Sequence, residues 1–241
     1  MKKFLLAAML FTVYHSHGQN TNWFISFSTG AVFGGPSASL YNKMKQQGYD
    51  QTSYASFLGL DFSTNYPFKE HSPYGKILAG KKIAKNKSIY FVGGIVDAGS
   101  VFGYKASGNV VNLGFFAFME GDQPSIKYTV YQLGGGLQYH FEKTRIKLGA
   151  APSALLFSYS SSNSQRRYVC FSPGIEGMAR VPLGREKKFF GIDLMAQVLA
   201  AAPVKPDLNK NLSPGEAKTS FNTAGTSLFQ ASVGVAFSFR Q

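Results

Sequence analysis

The stretch Ser227–Arg240, SLFQASVGVAFSFR, decides the fold. From Phe229 onward it alternates without a break. Phe229, Ala231, Val233, Val235, Phe237 and Phe239 share one face of a strand, while Gln230, Ser232, Gly234, Ala236, Ser238 and Arg240 share the other. Side chains in a strand change face at every residue, so one side is apolar and the other small and polar. The segment is long for a soluble strand and fits a tilted bilayer crossing.

The N-terminal end reads as a secretory leader. Lys2 and Lys3 form a basic start, Phe4–Val13 is apolar apart from Thr12, and Ser16 and Gly18 supply small residues for cleavage before Gln19. The expected organisation is therefore a signal peptide over 1–18 and one β-barrel domain over 19–241. The apolar run is too short for an anchoring helix.

Composition agrees with export into a membrane. Cys170 is the single cysteine, which excludes an internal disulfide. Charged residues make up 15% of the chain, against roughly a quarter in ordinary globular domains. The formal charge of +13 falls by two when Lys2 and Lys3 leave with the leader.

Working back from Ser227–Arg240, seven more strands follow from period-two patterning. They are Trp23–Phe33, Pro73–Ile83, Ser88–Tyr104, Ile126–Phe141, Arg145–Tyr159, Arg167–Val181 and Lys188–Ala201. Short turns at Ala84–Lys87, Glu142–Thr144 and Pro182–Lys187 alternate with longer connections, as in an up-and-down antiparallel transmembrane barrel of eight strands. Ser53–Ser63 and Asn109–Met119 also read as strands and leave a ten-stranded barrel as the alternative. Pro152 and Pro173 fall inside strands and suggest bulges.

The faces separate a membrane barrel from a soluble one. Leu148, Ala150, Pro152, Ala154 and Leu156 oppose Lys147, Gly149, Ala151 and Ser153. Leu194, Ala196 and Val198 oppose Asp193, Met195 and Gln197; Phe171, Pro173 and Ile175 belong to the face opposite Glu176 and Arg180. Each mid-strand charge here lies off the apolar face, where it would cost about 2–4 kcal/mol for Lys or Arg at the bilayer centre. A soluble lipocalin-like barrel would invert this pattern.

Aromatic residues gather at strand ends and predict two girdles. One holds Trp23, Tyr90, Tyr139, Phe141, Phe190, Phe237 and Phe239. The other holds Phe33, Tyr74, Tyr104, Tyr128, Phe157, Tyr159 and Tyr168. In the first long loop, Ser37 is positioned to cap a helix reaching about Gln47, with Gly48 as its stop.

The run GPSASLYNKMKQQGYD (Gly35–Asp50), then NYPF (Asn65–Phe68), then SPYGKILAGKKIAKNKSIYF (Ser72–Phe91), resembles Bacteroidetes-type small outer-membrane β-barrel proteins. These carry a Gly-Pro-Ser helix insert, a Tyr-Pro motif and a first hairpin in that order. The resemblance implies the bacterial outer membrane and the barrel topology. It brings no catalytic residue with it.

Hairpin reflection about Gly184 and Arg185 sets Glu176 opposite Asp193, and the Glu142–Thr144 turn brings Lys147 near His140. The candidate lumenal polar cluster is thus His140, Lys147, Glu176 and Asp193. It reads either as a proton- or ion-handling site or as a salt-bridged core filling a narrow barrel, and the filled core is the stronger reading. No catalytic residue, metal set or cofactor is expected: His71-Ser72 is no triad, and two mature-chain histidines with one strand cysteine have no usable ligand spacing.

Basic residues crowd the short turns: Lys81, Lys82, Lys85 and Lys87; Lys143, Arg145 and Lys147; Arg180, Arg185, Lys187 and Lys188. Outer-membrane lipid is the first expected partner and a periplasmic or cell-surface protein the second; nucleic acid is excluded for an exported barrel. The expected role is structural, surface-interacting or assembly-accessory and not catalytic. The alternative is a narrow pore or conduit for small or hydrophobic molecules.

Overall fold

The computed structural model describes residues 22–50, 52–57, 60–65, 71–112, 114, 116–161, 167–184, 190–210 and 218–240. The leader expected over 1–18 lies outside the described residues, as do the basic Arg185, Lys187 and Lys188.

The chain runs β1 (Trp23–Gly34), α1 (Gly35–Gln46), β2 (Thr52–Phe57), β3 (Leu60–Asn65), β4 (His71–Ala84) and β5 (Lys87–Phe102). It continues through β6 (Lys105–Asn112), β7 (Phe116–Asp122), β8 (Ser125–His140), β9 (Lys147–Ser161), β10 (Tyr168–Pro182), β11 (Phe190–Ala201) and β12 (Gln230–Arg240). Eight strands close into an antiparallel barrel in the order β1-β12-β11-β10-β9-β8-β5-β4. Closure joins β1 to β12, from Phe24 opposite Arg240 to Gly34 opposite Gln230. One end carries the tight connections and the other the long ones; these are the turn end and the loop end.

The ten-strand alternative fails. Both extra segments do form strands, but they pair with each other outside the barrel, in a four-stranded sheet ordered β3-β2-β7-β6. Each extra strand is 6 to 8 residues long. A tilted bilayer crossing needs roughly 9–11 residues.

The faces follow the period-two reading. Phe171, Ile175, Leu133, Leu137, Leu148 and Val198 point outward and are exposed, while Ser26, Lys76, Glu176, Asp193 and Gln197 are buried within. The exterior is apolar and the interior carries the charge, the inverse of a water-soluble barrel.

The aromatic girdles need correction. Trp23, Tyr139, Phe141, Phe237 and Phe239 lie outside at the turn end, as expected. Tyr90, Tyr74, Tyr104, Tyr128, Phe157 and Tyr159 are buried instead. Phe157 and Tyr159 share parity with Lys147 and Ser153, so the pleat turns them inward. There they stack, with Tyr128 and Phe157 centroids 5.5 Å apart and Phe157 and Tyr159 centroids 5.7 Å apart.

The prolines cause no bulge. Register shifts fall at Lys82/Ala84, Ile95/Asp97 and Ala106/Val110. Pro173 lies where β11 has ended, its carbonyl accepting from Ala202 N–H at 3.0 Å, so no ladder bond is missed on that side. Pro152 faces Gly135–Gly136 of β8, where the ladder is interrupted without a change of register. A Cβ on Gly136 would lie 2.0 Å from the Ala150 carbonyl oxygen, so this crossing point requires glycine.

Helix α1 starts two residues before the expected Ser37 cap. Gly34 is its N-cap, with no side-chain capping bond, and Pro36 stands in the first turn. Gly34 and Gly35 both have positive φ, 81° and 71°. That fold-back drops the helix onto the barrel mouth instead of out into solvent. Gly48, φ 79°, follows the helix where the expected stop lies.

Candidate functional site: a layered barrel interior

Three polar layers and an apolar cap fill the lumen. Nearest the turn end, Asp193 of β11 receives Arg180 Nη2 of β10 at 2.6 Å and Lys147 Nζ of β9 at 3.2 Å. Arg180 also donates across the lumen to Ser26 of β1 at 2.8 Å and Ser238 of β12 at 2.5 Å. These two serines lie opposite each other in the closing seam, oxygen to oxygen 2.9 Å.

The middle layer is built on Glu176, which is 0% exposed. Lys76 Nζ lies 3.0 Å from its Oε2 and donates to Gln197 at 2.5 Å. Gln132 donates to the same carboxylate and, at 2.9 Å, to Ser153. β4 and β10 stand four places apart around an eight-strand ring. The Lys76–Glu176 pair therefore bridges the full width of the barrel. Leu78, Val92, Met178 and Met195 pack with Tyr74 and Tyr90 into the apolar cluster of this barrel interior.

The third layer centres on Asp97. The register shift at Ile95/Asp97 breaks the alternation, so Val96 and Asp97 are both buried. Ser72 donates to Asp97, and the Tyr128 hydroxyl lies 3.3 Å away. A Cβ on Gly35 would meet the Asp97 carboxylate at 2.8 Å, so the start of α1 rests directly on this layer.

Above it the interior turns apolar. Leu40 and Met44 of α1 pack with Tyr49, Val204, Leu208, Phe221 and Leu228 against Ile126, Val130, Leu155 and Leu199 of the wall. Helix α1 and Val204, Leu208, Phe221 and Leu228 of the β11–β12 connection together occupy the mouth. Asp122 ties the cap: its Oδ2 accepts from Tyr49 at 2.7 Å, Ser220 N–H at 2.7 Å and Thr219 at 2.9 Å. Burial pushes the Asp122 carboxyl up, but these hydrogen bonds outweigh it, and the net direction is down. Burial first, then the neighbouring carboxylate, raises the Tyr49 hydroxyl.

A carboxyl lowered on folding contributes stability that is complete above its unfolded pKa, about 3.9, and is lost as pH falls through the folded value. Acidification below about pH 4 is expected to loosen the 218–229 segment while the barrel persists. Limited proteolysis and amide exchange at Ser220 measure this, and Asp122→Asn is expected to give a similar loosening at neutral pH.

The candidate cluster is divided differently from the sequence expectation. Glu176 faces Leu199, and Asp193 faces Pro182, so the two carboxylates belong to separate layers. Reflection about Gly184 and Arg185 misplaced them because the β10–β11 register is centred further along the chain. Lys147 pairs with Asp193. His140 does lie opposite Lys147, with Ser88 Oγ 2.9 Å from its Nε2. Lys76, Gln132 and Gln197 were not singled out from sequence. Their inward parity with Leu78, Val130 and Met195 was the available signal. Among the described residues, no group of three or more His, Cys, Asp or Glu side chains is placed to hold a metal.

A closed eight-stranded barrel, apolar outside and charged within, defines a transmembrane β-barrel of the bacterial outer membrane. No family model matches the chain, and no curated protein matches it. Among solved structures it is similar to Ail, the attachment invasion locus protein of Yersinia pestis, in complex with the heparin analogue sucrose octasulfate. Identity is 8% and the TM-score 0.38, over 90% of this chain and 99% of that one. The translocator domain of autotransporter NalP from Neisseria meningitidis is similar at 9% identity and a TM-score of 0.29, over 100% and 96% of the two chains. Likenesses this distant carry no residue role and no activity across.

Proposed function

We propose that the protein is a non-catalytic outer-membrane barrel of the Bacteroidetes small-barrel type, with a closed lumen and a loop end displayed at the cell surface. Its role is structural, surface-interacting or assembly-accessory. The observation that carries this reading is the Lys76–Glu176 pair, which crosses the lumen from opposite walls at 3.0 Å. An open pore would need that path free. The Gly35-Pro36-Ser37 insert supports the family assignment by forming the helix that fills the mouth. The Tyr66-Pro67 motif lies outside the described residues.

Display of the loop end sets the four-stranded sheet outside the cell and the tight turns in the periplasm. An epitope inserted after Asn112, at the β6–β7 turn, is expected to be labelled on intact cells, and one inserted after Lys85 is not. The same outer-membrane fraction should show faster gel mobility unboiled than boiled. Labelling at Lys85 on intact cells, with none at Asn112, would reverse the orientation.

A further inference from the structure

The turn end carries a surplus of cations that the closed lumen does not use. Lys81, Lys82, Lys85 and Lys87 lie on and beside the β4–β5 turn, and Lys143 and Arg145 on the β8–β9 turn, all exposed. The two turns are held side by side. His140 N–H donates to the Asn86 carbonyl at 2.8 Å, Asn86 Nδ2 donates to the Tyr139 hydroxyl at 2.7 Å, and Lys85 meets Glu142 at 3.0 Å. Glu142 is the one acid among these two turns.

This basic surface wraps from the end of the barrel onto its apolar wall. Trp23 lies opposite Lys81 and Lys87 opposite Tyr139 in the strand register. Lys81 Nζ stands 5.7 Å from the centre of the Trp23 ring. Tyr139 and Phe141 meet edge to face at 4.8 Å. Trp23, Ile83, Tyr139 and Phe141 are all well exposed on the outward side. Lysines set beside outward-facing aromatic rings can keep their stems in the apolar layer and raise their ammonium groups to headgroup level.

The geometry points to a binding arc for anionic phospholipid, with phosphate headgroups held by Lys81 and Lys87 on the outward face, Lys82 adding charge at the lumen-side rim, and acyl chains lying against Trp23, Ile83 and Tyr139. A face built for an acidic protein would not need its cations interleaved with exposed aromatic residues along the wall. Cations at a membrane surface attract anionic lipid, and several act together. This inference rests on the transmembrane reading.

Trp23 is the sole tryptophan of the chain and lies within the arc, so it reports directly. The purified barrel is reconstituted in phosphatidylcholine vesicles containing a minor fraction of either brominated phosphatidylglycerol or brominated phosphatidylcholine. Bromine quenches tryptophan on contact. Phosphatidylglycerol is expected to quench at least about twofold more than phosphatidylcholine at equal fraction and low salt, and the excess should shrink as salt screens it.

The triple variant Lys81→Gln, Lys82→Gln, Lys87→Gln should bring the two lipids level, with heat-modifiable gel mobility retained. Equal quenching in the unmutated barrel, or a preference unchanged by the triple variant, overturns the inference and leaves the membrane reading standing. Quenching by neither lipid overturns both. Absence of lipid preference together with binding of soluble polyglutamate through the same lysines would make the surface a docking face for an acidic protein instead.

Discussion

Glu176→Gln is expected to be the most damaging conservative substitution in the barrel. The change removes one negative charge and almost no volume. It leaves Lys76 buried in the lumen with only Gln197 and a neutral amide to accept its hydrogen bonds. Breaking a buried ion pair from one side costs roughly 3–5 kcal/mol, because the remaining ion has lost its compensation. Urea unfolding of the reconstituted protein, followed by Trp23 fluorescence and by gel mobility, measures it.

The paired replacement Lys76→Met with Glu176→Leu separates charge from packing. It removes both ions and supplies apolar volume beside Leu78, Met178 and Met195. Such exchanges are often neutral or stabilising. The double variant is therefore expected to unfold within about 1 kcal/mol of the unmutated protein, or above it. A single variant that unfolds no earlier than the parent would show that the pair does not bind the two walls together.

Much of this architecture is legible in the sequence because strands have a strict period. Parity alone orients Asp193, Glu176, Arg180 and Lys147 inward, and it would have turned Phe157 and Tyr159 inward had it been preferred to their position near the strand end. The His140–Lys147 pairing is readable because Glu142–Thr144 is short, and a tight turn constrains register. The β10–β11 register is less legible for the converse reason: Pro182–Lys187 is twice as long as Glu142–Thr144 and does not define its own centre.

Lys76 is harder to find. Its partner lies on the opposite wall, and which strands oppose each other is set by barrel closure, not by any local hairpin. Asp97 is hidden by the register shift beside it, which breaks the period that would otherwise assign its face. The segments 53–63 and 109–119 show strand patterning at a length that would cross a bilayer, but each breaks into two strands of 6 to 8 residues, too short for a crossing.

Ion conductance is the second large effect and tests closure most directly. The lumen is crossed by Lys76–Glu176, by Arg180 reaching Ser26 and Ser238, and at the mouth by Leu40 and Met44 of α1. An ion would have to break these contacts in series, against walls already packed with side chains. An eight-stranded interior is just wide enough for side chains to fill. The purified barrel in a planar lipid bilayer is expected to show no conductance steps above the bare membrane, with insertion verified by protease protection of the strands. Steady, ion-selective steps from the unmutated protein, with selectivity altered by Glu176→Gln, would contradict a closed lumen and make the protein a pore.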